Sequence, residues 1–406
     1  MTKLNYINKI IIILMFSILS SCTTIIKNLI GNQLIDNHYA PKPQIEPFYI
    51  KIPYKIENNF IVIKAKVYNS DNEYNFIFDT GGITMISEDL SKVLGLKNGN
   101  TIVSRDINGS DVVGMTYLTN LKIGDLNILN LRINTTKSEL FSSECTENID
   151  GIIGANVLKQ GTYFFNASER LLIITNQNNK ISFSNFDKPT KLKRFMGQPY
   201  IGVKGHKKEW LLFDTGYAGG GILVNKKAKI LKNTDTLIKQ KYYQVEGVSS
   251  TDIKTISYFN KKVNFGKTQI TLPIIEFNKK HGKGNVGNKI IQNNDFIIDV
   301  LNKKFYFPKK IIEFDNEKIP NINFKFKNRD VTISGLTKNC TIEKMGIQMN
   351  DTVVKINDMN IKDLKSRCQF DDFKIKNIDN ADVIKIVLKN KDLTNTFTIT
   401  KKELYE

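Results

Sequence analysis

Cysteine, histidine and tryptophan are all scarce in this 406-residue chain, which holds four, three and one of them. No Cys-x-x-Cys pair occurs, and His38, His206 and His281 stand far apart without metal-ligand spacing, so no zinc site and no metal are expected. There is no Gly-x-Ser-x-Gly elbow and no phosphate-cradling glycine loop, which sets aside those two hydrolase classes and implies no cofactor. Acidic residues are outnumbered: 59 Lys and Arg against 40 Asp and Glu leave a formal charge of +19. The lysines are spread along the whole chain, and no basic run is interleaved with stacking aromatics. The excess reads as a solvated surface, and no nucleic-acid partner is expected.

Long amphipathic helical patterns are missing as well. Short runs of Ile, Val, Phe, Tyr and Thr, cut by Asn, Gly, Asp and Ser, fill the chain and predict a mainly β protein. A hydrophobic content of 41% suits packed cores, and the length exceeds one ordinary core, so two or three domains are expected.

The first residues read as an address. Lys3 and Lys9 flank a polar start, Ile10–Leu19 is an apolar core too short to span a bilayer as a stable helix, and Leu-Ser-Ser-Cys follows at 19–22. The stretch resembles a bacterial lipoprotein signal. That resemblance implies removal of residues 1–21, acylation of Cys22 and a lipid anchor in the cell envelope. Thr23, which is not aspartate, favours the outer membrane. Residues 22–45, with Pro41 and Pro43 and no strand alternation, read as a tether.

The most informative feature is a repetition. NFIFDTGG at 75–82 and EWLLFDTG at 209–216 both end an apolar run in Phe-Asp-Thr-Gly. Each is preceded by a strand, a polar turn and a second strand that delivers the aspartate. A Gly-x-x-Gly segment follows each: GIIG begins 72 positions after Asp79, and GNVG begins 70 positions after Asp214. Between motif and segment each half carries a hairpin-tip pattern, Asn108-Gly109 in the first and Gly247-Val248 in the second. The repeat predicts two copies of one β domain, at 46–188 and 189–318.

Two Asp-Thr-Gly motifs, each followed by a hairpin and an apolar glycine-rich segment, resemble the retropepsin and pepsin group of aspartic proteases, in particular its bacterial retropepsin-like branch. The resemblance implies two pseudo-symmetric barrel-like lobes in one chain, acting as an aspartic-type endopeptidase on protein or peptide substrates. Asp79 and Asp214 would form the catalytic dyad that activates a water. Thr80 and Thr215 would hydrogen-bond across the pseudo-twofold axis, with Gly81 and Gly216 allowing close approach. Asn108, Gly109 and Gly247 would sit in flaps over the cleft. Gly82 and Tyr217 stand where many relatives carry a hydroxyl on the dyad, so raised dyad pKa values and activity near neutral pH are expected. A monomer is expected, with two rivals left open: a peptide-binding lipoprotein without turnover, and a dimer that pairs the motifs between chains.

From about residue 319 the pattern changes. GIQMNDTVVKINDMNI at 346–361 resembles a PDZ domain, with Asn350 and Asp358 in place of the usual glycines, both tolerant of left-handed turns. Residues 319–406 are therefore expected to form a small PDZ-like domain, able to take a peptide by strand addition. Cys340 and Cys368 lie within it, and whether they pair is open.

Overall fold

The computed structural model describes residues 46–67, 70–96, 101–105, 110–137, 148–195, 197–218, 221–225, 227–232, 237–246, 251–277, 284–311, 319–390 and 393–405. The expectations for residues 1–45, including Cys22, and for Asn108, Gly109 and Gly247 lie outside these.

The chain is mainly β, and it builds its sheets through local turns. Tyr49–Glu57 and Phe60–Val67 form a hairpin with Glu57 opposite Phe60. Its two turn residues, Asn58 and Asn59, have φ of 50° and 64°, the left-handed pair that a two-residue hairpin requires. Phe60–Val67 pairs in turn with Glu73–Asp79, in which Phe76 and Phe78 alternate inward, while Ile61, Val62 and Ile63 of the former are all buried. Glu73–Asp79 then runs parallel to Gly151–Gly154, which lies antiparallel to Met85–Ser87. Met85–Ser87 runs parallel to the end of Leu126–Thr136. That strand returns along Ser110–Ile123, and Val67 meets Leu121 to close a six-stranded barrel.

The same pairing recurs further along. Gln198–Lys204 pairs with Lys208–Phe213, which runs parallel to Asn285–Val286. Asn285–Val286 lies antiparallel to Ile222–Val224, itself parallel to Thr268–Phe277. That strand pairs with Thr251–Phe265, and Val203 opposite Phe265 closes a second six-stranded ring.

The two barrels are joined below the motifs by one antiparallel sheet. Tyr49–Glu57, Leu171–Thr175 and Thr162–Asn166 come from the first half. Phe296–Asp299, Lys304–Tyr306 and Thr190–Lys191 come from the second, with Phe296 opposite Phe165 at the junction. Phe213 contacts Phe165, Phe296 and Phe305 at centroid distances of 5.1 to 5.9 Å. The buried residues of both barrels form one continuous core. Truncating a phenylalanine at such a junction typically costs about 3–5 kcal/mol.

Residues 321–405 have a core of their own. Ile322–Lys327 and Asp330–Thr337 form a hairpin whose turn residues Asn328 and Arg329 are left-handed. Thr352–Ile356, Val383–Asn390 and Leu393–Thr400 continue the sheet, and the helix Arg367–Lys374 covers it with Phe370 against Phe326. Asn350 takes the expected left-handed conformation with φ of 69°. At the second turn Asn357, with φ of 50°, adopts it in place of Asp358. Asparagine tolerates that conformation, and Asn357 is also tied to the neighbouring strand, its Oδ1 accepting from Lys385 N–H at 2.9 Å. Cys340 and Cys368 are not paired with each other: Cys368 is disulfide-bonded, whereas Cys340 is free and caps the helix Thr341–Lys344.

This unit is sheet-paired to the second barrel. Lys241, Tyr242 and Tyr243 on the hairpin strand Leu237–Glu246 lie opposite Thr337, Leu336 and Gly335. Lys239 Nζ donates to Asn321 Oδ1 at 2.8 Å and to Ile319 O at 3.0 Å. Lys241 is 1% exposed, and its ammonium donates to Pro320 O and Asn323 Oδ1. A side chain at Gly335 would come within 2.8 Å of Asn323 Oδ1 and 3.0 Å of Lys241 Cε, so the lysine needs a glycine there. Burial, helped by the nearby charge of Lys239, pushes the Lys241 amine down to about 7. Unfolding restores the ordinary value of 10.5, so between those values the unfolded chain binds more protons and stability rises with pH. The stability difference between wild type and Lys241→Met, measured by urea unfolding, should therefore shift in favour of wild type by roughly a few kcal/mol from pH 7 to pH 10. A pH-independent difference would contradict a buried, titrating Lys241.

Candidate active site

The two Phe-Asp-Thr-Gly loops meet at the top of the shared core. Asp79 ends the strand Glu73–Asp79, and Asp214 directly follows Lys208–Phe213. Each strand runs parallel to its Gly-x-x-Gly segment, which fixes the height at which the carboxylate leaves the sheet.

The next residue of each loop locks it to the other. Thr80 N–H donates to Thr215 Oγ1 at 2.9 Å, and Thr215 N–H donates to Thr80 Oγ1 at 3.1 Å. The Thr80 hydroxyl donates to Phe213 O, and the Thr215 hydroxyl donates to Phe78 O. Both threonines are fully buried. Every donor in this reciprocal set is used, so losing one hydroxyl would leave orphaned buried groups costing about 1–3 kcal/mol each.

The glycines expected beside the dyad allow the loops to come this close. A Cβ on Gly81 would lie 2.3 Å from Asp214 Oδ1, and one on Gly216 would lie 2.2 Å from the carboxyl carbon of Asp79. Each carboxyl group therefore sits over the glycine of the opposite loop. No side chain fits at either position without driving the aspartates apart.

The two carboxyl groups have different surroundings. Asp79 Oδ1 accepts the N–H groups of Gly81 at 2.7 Å and Gly82 at 2.9 Å. Asp214 Oδ1 accepts Gly216 N–H at 3.0 Å, and its Oδ2 accepts the side-chain amide of Asn285 at 2.6 Å. Burial raises the pKa of both, opposed at Asp79 first by the Gly81 N–H and then by a hydrogen bond from Asp214. At Asp214 the negative charge of Asp79 adds to burial and holds the group well above the usual carboxylate range. Two carboxyl groups this close and this buried do not readily ionise together, so both are shifted upward, Asp214 further than Asp79.

The raised values were expected, but burial is their leading cause, and both aspartates have donors in place of the missing hydroxyls. Gly82 offers its N–H to Asp79. The Tyr217 hydroxyl points elsewhere, donating to the buried Glu276 carboxylate, with Tyr258 packed close by. Burial and Glu276 keep Tyr217 protonated well beyond the ordinary tyrosine range.

Asp79, Asp214, Thr80, Gly81, Thr215 and Gly216 are thus brought together. Three further contributors were not singled out in the sequence. Gln198 donates to Gly81 O, Asn288 donates to Thr215 O, and Asn285 binds Asp214. The Asn285 signal was readable: GNVG carries Asn where GIIG carries Ile152.

Residues 63–157 match the family model described as Aspartyl protease, a span that holds the Asp79 loop and the first Gly-x-x-Gly segment. No curated protein matches the chain.

Proposed function

We propose that the protein is an aspartic endopeptidase whose catalytic groups are Asp79 and Asp214. The observation that carries this reading is the pair itself: two buried carboxyl groups from identical loops, held over each other's glycines and both shifted upward. The Aspartyl protease match across the first loop supports it.

In the proposed reaction a water bound between the carboxyl groups attacks the scissile carbonyl carbon. Ionised Asp79 takes a proton from the water as the new C–O bond forms. Asp214 gives its proton to the carbonyl oxygen, whose π pair becomes a lone pair, and a neutral tetrahedral diol results. Asp79 then passes its proton to the amide nitrogen while Asp214 takes one from a diol hydroxyl. The C–N bond breaks toward nitrogen, leaving an acid, an amine and the starting dyad. Neither a metal nor a covalent enzyme intermediate enters this scheme.

The substrate would be protein or peptide, bound between the halves 46–188 and 189–318 as a monomer's cleft, and Asn108, Gly109 and Gly247 would belong to flaps over it. Residues 319–406 are proposed as a PDZ-like unit. The edge of Ile322–Lys327 beside the helix Arg367–Lys374, unpaired among the described residues, is the edge suited to strand addition, because Asp330–Thr337 already pairs with the chain's own hairpin. Residues 1–21 would be the lipoprotein signal and 22–45 the tether, with Cys22 acylated.

Incubating the protein with denatured casein and a mixed peptide library across pH 3–8, and reading cleavage sites by mass spectrometry, tests the catalytic reading. Cleavage is expected near neutral pH and should be lost in both Asp79→Ala and Asp214→Ala. Equal background in all three proteins would reject it. In a bacterial host the wild type should fractionate with membranes and Cys22→Ser should not; identical fractionation would remove the anchor from the account.

A further inference from the structure

We propose that Asn285 is a positioning residue for Asp214, and that it makes the two carboxyl groups of the dyad chemically unequal. The inference rests on the aspartic-peptidase reading above and adds to it a residue outside both Asp-Thr-Gly motifs.

The two halves can be compared position by position at this point. Ile152 lies opposite Ile77, two residues before Asp79, and Asn285 lies opposite Leu212, two residues before Asp214. Across the other edge Ile152 faces Met85 and Asn285 faces Leu223. The backbones correspond, but the side chains do not. The first half presents a hydrocarbon that can only pack, whereas the second presents an amide within 2.6 Å of Asp214 Oδ2. Asn285 is itself buried, at 9% exposure, so the bond is shielded from water and strengthened by it.

The difference extends one strand further. Asn134, opposite Met85, corresponds to Glu276, opposite Leu223. The second half therefore places a further buried carboxylate behind Asp214, bound by Tyr217. The titratable groups around Asp214 are Asp79 from the facing loop, Tyr200 from Gln198–Lys204, Tyr217 from its own loop, and Glu276 with Tyr258 behind. Among the described residues no cation appears in this set. The Asn285 amide is the side-chain donor that offsets the negative charge there and fixes the plane of the Asp214 carboxyl group.

Donation to Oδ2 favours ionised Asp214. Asn285 thus works against burial and against the charge of Asp79, both of which raise Asp214. It sets how readily Asp214 gives up the proton that the scissile carbonyl must receive. The backbone donors of the two loops correspond, Gly81 and Gly82 on Asp79 and Gly216 and Tyr217 on Asp214, so the Asn285 amide is a difference that the side chains supply. Removing the amide should make Asp214 hold its proton to higher pH and turn less accurately toward the substrate.

The test uses the full chain with Asn285→Ile, which copies the first half, and Asn285→Ala as a smaller change. Two readouts are taken. One is the pH profile of kcat/KM on a peptide the wild type cleaves. The other is the titration of the Asp214 carboxyl carbon by carbon-13 NMR, its signal identified by its loss in Asp214→Asn. The Asp214 midpoint should rise in both variants, and the alkaline limb should move with it. At the pH where wild type has lost about nine-tenths of its activity, the variants should keep about half of their own maxima, the effect of losing one charge-assisted bond. Plateau kcat should fall more than KM rises. A midpoint that stays unchanged or falls in both variants overturns the proposal. Failure of the peptidase reading looks different: wild type would not cleave, or Asp214→Asn still would, and the carboxyl titration alone would then decide the role of Asn285.

Discussion

The site depends on one reciprocal interaction, the exchange of hydrogen bonds between Thr80 and Thr215 beneath the two aspartates. A threonine suits this task because its hydroxyl can accept one bond and donate another. Each accepts the other's N–H and donates to the carbonyl that precedes the other's aspartate. With both side chains fully buried, water cannot substitute for any of these partners. The Phe213 cluster and the joint sheet below hold the two barrels at the spacing this network needs. The glycines above it then let the carboxyl groups converge.

Convergence has an electrostatic consequence. Two buried carboxyl groups over one another cannot both ionise at low cost, so the structure must decide which one keeps the proton. Backbone symmetry would make them equal. The backbone donors correspond, Gly82 on Asp79 and Tyr217 on Asp214, and the side chains break the symmetry: Asn285 offers an amide to Asp214, and Glu276 lies behind, bound by Tyr217. The second half is asymmetric in another respect, because its hairpin is stitched into the C-terminal sheet through Lys239 and Lys241. That hairpin cannot move without disturbing a buried lysine. The first barrel's corresponding hairpin, Thr101–Arg105 with Ser110–Ile123, has no such partner among the described residues.

Much of this was readable from residues alone, for specific reasons. The motif Asp-Thr-Gly has few physical solutions, so two copies with matching Gly-x-x-Gly spacing pointed to a repeated barrel and a paired dyad. The threonine and glycine roles followed from the family resemblance. Other features depended on contacts that sequence does not order. The strand pairing of Lys241 with Thr337 joins positions about a hundred residues apart, and nothing local in either strand names its partner. The left-handed turn fell on Asn357 and not Asp358, a one-residue shift that both side chains tolerate. Cys340 was a candidate for a disulfide by compartment, yet its sulfur caps a helix. Asn285 lay in plain view inside GNVG but stood for an apolar position until its amide was seen against Asp214.

The account's central claim is that one chain supplies the whole dyad. Mixing the Asp79→Ala and Asp214→Ala proteins, through unfolding and joint refolding, and assaying peptide cleavage tests it directly. If Asp79 and Asp214 meet within each chain, the mixture should show no cleavage beyond that of the separate variants. Recovery of a substantial fraction of wild-type activity would mean that the intact loops meet between chains, and would contradict the account.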